Sequence, residues 1–218
     1  MPDISKINNV AVADISKLDA VTFADGQKVN NQSVSLAPTD AHVRIGVSQE
    51  AGGATAVTFS SLGSYDVLIF NWINFDPTGG SDDLLTFQVT TSSYAYNAPI
   101  TSTYFRGYHN EANSVGNVLY DGDGDQAQGV AYNWLGTYVD QDEDDSAGSG
   151  NLMIFGHSSD TYIKHFMARA NTEASAAAHD AYSAGYVNTN EAVTAVQFKA
   201  LGGGAFTGTF DLYGLATS

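Results

Sequence analysis

The stretch AVTAVQFKALGGGAFTGTFDLYGL, Ala192 to Leu215, holds two runs rich in Val, Phe and Thr on either side of the turn LGGGAF. Runs of this length and composition, separated by glycines, read as two consecutive strands. The same rhythm of short apolar runs and polar, Gly-rich turns extends back to Val43. Further strand candidates are Thr55 to Leu62, Tyr65 to Phe75, Leu84 to Thr91, Thr101 to His109, Gly129 to Val139, Asn151 to His157 and Ile163 to Ala170. Such a series predicts an all-β fold, a jelly roll or two-sheet antiparallel β-sandwich, over residues 38–218. About nine strands fit a jelly roll, and an eight-stranded roll with an extra edge strand would read the same way. Asn171 to Gly185, with its run of Ala around Ala176, is the one stretch of helical composition. Its Ser, Asn and Gly content leaves a loop or a single turn equally open.

Composition narrows the function. The 218-residue chain carries 24 acidic against 8 basic side chains, a net charge of −16. Such a surface repels phosphate backbones, so no nucleic-acid partner is expected. It equally disfavours electrostatic attachment to an anionic membrane. Cysteine is absent, which excludes disulfides and thiol chemistry. No basic-then-apolar leader opens the chain and no apolar run reaches membrane-spanning length, so the expectation is a protein made in a cytoplasm without membrane insertion.

Residues 1–37 have a different texture. Ile4 to Asp14 and Ile15 to Asp25 are copies of eleven residues, and Gly26 begins a third. Lys6, Lys17 and Lys28 align, as do Ile7, Leu18 and Val29, then Val12, Phe23 and Val34. The pairs Asn8-Asn9 and Asn30-Asn31 suit tight turns, since Asn tolerates left-handed backbone. Each copy therefore reads as a minimal strand, turn and strand. With so few apolar residues, no copy is stable alone. Stacking on other copies or on partner subunits is required, which predicts an attachment or oligomerisation arm using Ile7, Val10, Leu18, Val21 and Val29.

These segments carry a resemblance. KINNV, KLDAV and KVNNQSV (residues 6–10, 17–21 and 28–34) resemble the K-[IV]-N-G-V repeats near the N-termini of many bacteriophage structural proteins. Asn9, Ala20 and Asn31 stand where that pattern has Gly, and Ala20 suits a positive-φ turn least. The segments at 149–175 and 184–218, which include the closing TFDLYGL, are similar to the C-terminal half of jelly-roll virion proteins of marine bacteriophages. Together the two resemblances cover most of residues 4–37 and 148–218; the middle of the chain matches only in its alternation. They imply a virion structural protein: a fibre or receptor-binding appendage, homotrimeric, joined to other virion proteins by the arm and carrying a jelly roll directed at host-surface glycans. A capsid decoration protein is the alternative, and a glycan-degrading enzyme a third reading. The resemblance carries over no catalytic residue.

Candidate chemistry is sparse. DGDGD places Asp121, Asp123 and Asp125 at alternate positions, a spacing that lets carboxylates converge on Ca²⁺. Gln126 and Tyr132 stand where an EF-hand needs Gly and Glu, so the competing reading is an acidic hairpin loop. Asp140 to Asp145 is a second acidic run, read as a solvated loop, with a cation shared by Asp140, Asp142 and Asp144 as the competing reading. A glycosidase needs two carboxyls about 5 to 10 Å apart, but apart from Asp66 and Asp211 the Asp residues sit in turns beside Gly. Those two read as outward polar positions of strands. The five His residues show no metal-ligand spacing, and no nucleophile motif is present, so a non-enzymatic protein is expected. Tyr94, Tyr96, Tyr104 and Tyr108 are candidates for a sugar-stacking platform, with core or intersubunit packing as the competing role.

Overall fold

The computed structural model describes residues 6–7, 10–11, 28–29, 32–33, 42–78, 81–141 and 145–215. The chain divides into two units, Met1–Ala41 and His42–Ser218. In the first, β1 (Lys6–Ile7) pairs with β2 (Val10–Ala11), Ile7 opposite Val10. Likewise β3 (Lys28–Val29) pairs with β4 (Gln32–Ser33), Val29 opposite Gln32. The first and third copies of the repeat thus each hold a pair of two-residue antiparallel strands, and the residues between those strands lie outside the described ones. The middle copy, with Leu18 and Val21, lies outside the described residues.

The second unit begins with β5 (Val43–Arg44), β6 (Gln49–Glu50), β7 (Val57–Phe59), β8 (Val67–Pro77) and β9 (Leu85–Thr90). An excursion follows: β10 (Ile100–Asn110), β11 (Gly116–Tyr120) and β12 (Gln126–Gly129). Then come β13 (Asn133–Trp134), β14 (Gly148–Phe155), β15 (Lys164–Ala174), β16 (Ala177–Val187), β17 (Ala195–Ala200) and β18 (Phe206–Leu215). No helix occurs among the described residues.

Two antiparallel sheets result, a ten-stranded one and a four-stranded one, β13-β9-β17-β7. The pairings nest. The first strands β5 and β6 pair with the last, β18; β7 pairs with β17, β8 with β14, and β9 with β13. This is one long antiparallel hairpin whose outgoing arm is β5 to β9 and whose returning arm is β13, β14, β17 and β18. Wrapping it around a barrel axis adds the lateral pairs β18·β8 and β17·β9 and yields two Greek keys, the jelly roll. The chain adds to that frame at two loops. The hairpin β15–β16 continues the large sheet beyond β14, and β10 with β11 and β12 continues it beyond β16.

Side-chain alternation explains why these sequences stack as two layers. Phe70 on β8 and Phe198 on β17 meet between the sheets with centroids 5.5 Å apart, and Phe198 also packs on Phe210 of β18 at 5.5 Å. Phe87 of β9 stands edge-on to Phe166 of β15 at 5.0 Å. Further along the extension the inner face turns polar but satisfied. Ser102 donates to the Asn133 carbonyl at 2.7 Å, and the Asn133 amide donates to Ser183 at 2.9 Å.

Two segments differ from the sequence reading. Asn171 to Gly185 is neither helix nor loop: it is most of the β15–β16 hairpin, turning at Ser175 and Ala176 with φ of 52° and 55°. Within Gly129 to Val139 only Asn133–Trp134 is a strand interior to the roll. Leu135 and Val139, both buried, instead belong to an irregular segment whose Gly136 lies on Ala170 and Thr172 of β15.

Candidate functional site

On β10 the even positions face inward and the odd ones outward, so Tyr104 is buried while its neighbour Phe105 is 42% exposed. The ladder registers carry Phe105 into a single outward row that crosses seven strands: Tyr120, Phe105, Tyr182, Arg169, Asn151, Asn71 and Asp211. The row runs from aromatic to cationic to amide to acidic. Phe105 and Tyr182 are stacked, with centroids 4.8 Å apart and planes 6° from parallel. The Arg169 guanidinium lies 5.1 Å from the Tyr182 ring centre. It also grips Asp180 through both carboxylate oxygens, at 2.9 and 2.7 Å, and the Tyr182 hydroxyl donates to the same carboxylate at 3.0 Å. Bonding to Arg169 holds the Asp180 carboxyl below its ordinary pKa, and the bond to Asp180 pushes the Tyr182 phenol up. At the far end Asp211 accepts from Arg44 at 2.6 Å and from Ser48 at 2.8 Å. It is the outward polar position the sequence suggested.

The adjacent row is low. Val118, Gly107, Asp180, Asn171 and Ser149 follow one another across the strands, and two of these are Gly or Ser. The surface therefore sinks into a shallow groove of about 640 Å³ over Gly107, Gly116, Val118 and Asp180. It meets a second hollow of about 390 Å³ at Asn171 and Asp180, bounded by Ser149, Asn151 and Arg169. The aromatic row is the next one over: Phe105, Tyr120 and Tyr182 stand beside the groove, while Asn151 and Arg169 of the same row reach the second hollow. Such a surface offers the outward edges of a stacked aromatic row to the apolar side of a sugar. Beside them it offers fixed donors and acceptors for hydroxyls, from Arg169, Asn151, Asn171 and Asp180.

The tyrosines singled out from sequence do not assemble into a platform. Tyr104 is fully buried and donates to the Gly136 carbonyl at 2.8 Å. Tyr94 packs against the core, and Tyr96 sits in the β9–β10 connection at φ 58°. Tyr108 lies on the opposite face of β10, stacked on His179 at 5.6 Å. The aromatics that share one outward row of the large sheet are instead Phe105, Tyr120 and Tyr182. The signal for Phe105 was the alternation within TSTYFRGYH, which sends Tyr104 and Phe105 to opposite faces.

In the acidic loop Asp121 accepts from Arg106 at 3.0 Å and from the Asp123 amide at 3.3 Å, while Asp125 accepts a short bond from the Tyr120 hydroxyl. Asp123 is exposed. No three acidic or His side chains converge as a metal site among the described residues. The glycine at 124 has a packing reason: a Cβ there would fall 2.5 Å from the Tyr104 ring. Of the second acidic run, Asp140 accepts from Ser175 at 3.2 Å, and residues 142–144 lie outside the described residues. The chain matches no protein family, no curated protein and no solved structure.

Proposed function

We propose that this protein is a non-enzymatic virion attachment subunit, anchored by its repeat arm and binding host-surface glycan in the groove of the large sheet. The observation that carries the reading is the Phe105–Tyr182 stack beside the Arg169–Asp180 pair, an outward aromatic row with fixed polar groups one row from an open groove. An open groove suits an extended chain of sugars rather than a single enclosed one. The arm is consistent with docking: two-residue strands such as β1 and β2 bury too little to stand alone and need neighbours to stack on. The phage assignment itself rests on the K-[IV]-N-G-V-like repeats and the closing strands. A glycan array probed with the purified protein and with Tyr182→Ala tests the binding. A panel on which neither protein differs from background would overturn it.

A second reading, a decoration protein of the capsid, is favoured by apolar groups left open on the same face. Val118 is 75% and Met167 57% exposed, apolar groups that a neighbouring subunit could cover. Under that reading the face packs against other subunits, and copies number in the hundreds per particle rather than the tens. Immunogold counting on intact virions separates the two, and native mass spectrometry tests the homotrimer.

A further inference from the structure

We propose a second saccharide site, on the opposite face of β10, that takes a single uncharged terminal hexose. Where Phe105 points outward beside the groove, Tyr104 and Arg106 point to the other side of the sheet, under the acidic loop and the segment after β13. There they border a separate pocket of about 150 Å³ with Asp121, Trp134, Thr137 and Tyr138. That volume admits one sugar ring and excludes a chain.

The walls have complementary chemistry. Trp134 meets Tyr138 edge to face, with centroids 5.9 Å apart and planes at 85°, so the two rings form a corner of π-surface. Tyr138, 45% exposed, stands at the mouth. Arg106 and Asp121, 3.0 Å apart, place a donor and an acceptor side by side, the arrangement that reads two adjacent hydroxyls on one ring.

Thr137 supplies the independent observation. Its residue is 5% exposed, yet its buried hydroxyl has no hydrogen-bond partner. A buried polar atom left unmade is costly, and a rotation of the Thr137 side chain towards the pocket would bring its hydroxyl to a ligand hydroxyl. Charge sets the class. The guanidinium is already neutralised by Asp121, and exposed Asp123 adds a further negative charge at the same pocket. Acidic sugars are therefore rejected and neutral ones accepted.

This site is independent of the groove, and the test keeps the two apart. The full-length protein is titrated with free galactose, glucose, N-acetylglucosamine and, as the acidic control, sialic acid. Tryptophan emission is the readout. Of the two Trp residues, Trp72 is only 2% exposed, so a change reports Trp134. A saturable change is expected with at least one neutral sugar and none with sialic acid. Thr137→Val, nearly isosteric, should weaken binding about tenfold, the loss of one useful hydrogen bond, without lowering the melting temperature. Tyr138→Ala, at an exposed position, should weaken it as well, and Tyr182→Ala should leave it unchanged. The proposal fails if no neutral sugar gives saturation, if both pocket variants bind as wild type does, or if Tyr182→Ala abolishes the response.

Discussion

Phe105 and Tyr182, on neighbouring strands β10 and β16, lie ring upon ring with centroids 4.8 Å apart, on the solvent side of a sheet whose other side is packed. Pairs of this kind contribute about 0.5–1.5 kcal/mol beyond area burial, a modest share of a domain's stability. Tyr182→Ala should therefore remove glycan binding while lowering the melting temperature by only a few degrees, roughly 2–4 °C per kcal/mol at this size. Binding retained at wild-type strength would show that the aromatic row is not the contact surface.

The turn of the β15–β16 hairpin is strained in a way that can be relieved. Ala176 has φ 55°, a left-handed value that costs an L-residue about 1–2 kcal/mol. Its carbonyl accepts from Glu111, a backbone contact that a smaller residue keeps. Ala176→Gly should stabilise the protein by about 1 kcal/mol. Denaturant titration should show a higher midpoint with an unchanged slope.

Gly185 should tolerate nothing larger. A Cβ there would sit 2.2 Å from the Thr101 carbonyl oxygen and 2.7 Å from the Ser102 Cα, both backbone atoms of β10. The strand has to move to make room, at a cost of about 1–3 kcal/mol or more. Gly185→Ala should melt roughly 5 °C or more below wild type. An unchanged melting curve would contradict the packing of β16 against β10.

Acid should destabilise the fold in two stages. Burial lowers the pKa of His157 below the ordinary 6.5, and burial with the nearby Arg106 does the same for His179. Both stay neutral in the fold after the unfolded chain has begun to take up protons. Stability is then lost as pH falls from about 6.5 towards the folded values. Glu191, whose carboxylate accepts from Ser93 and Thr91, is held at about 2 against an ordinary 4.5. Its contribution is present above 4.5 and disappears as pH falls from there towards 2. Urea midpoints at pH 7.5, 6.0 and 5.0 should decline in that order, and His179→Asn should flatten part of the first stage.

Removing residues 1–41 should leave the jelly roll folded, because the buried apolar cluster runs from Ala51 to Leu212. Its melting temperature should stay close to that of the full chain, while assembly into particles is lost. Normal incorporation of the truncated protein would reject the attachment role of the arm.

Much of the roll was legible because alternation and Gly-rich turns mark individual strands. Tyr65 to Phe75 and Leu84 to Thr91 correspond to β8 and β9, shifted by only a residue or two. The β16 strand escaped because four of its inward positions, Ala177, Ala181, Ser183 and Gly185, are small where backbones approach closely. Its turn, Ser175-Ala176, also lacks the Asn-Gly that usually announces left-handed backbone. Gly129 to Val139 misled for the opposite reason: a covering loop that buries Leu135 and Val139 has the same apolar content as a strand. The outward aromatic row was out of reach for a different reason. It draws one residue from each of seven strands, so nothing local in the sequence brings Phe105 beside Tyr182 or Arg169.

The nesting of first strand with last has a consequence for how the chain comes to be folded. Arg44 and Asp211, joined at one edge of the large sheet, are 167 residues apart along the chain. β18 also lies between β8 and the strands β5 and β6, so its place in the sheet is internal. During synthesis the outgoing arm leaves the ribosome with this central slot unfilled and its Phe-rich face uncovered. Local hairpins such as β15–β16 can zip early, but the roll closes only after the translated chain has passed Leu215. Loss of the last strand should therefore leave an insoluble product rather than a trimmed domain.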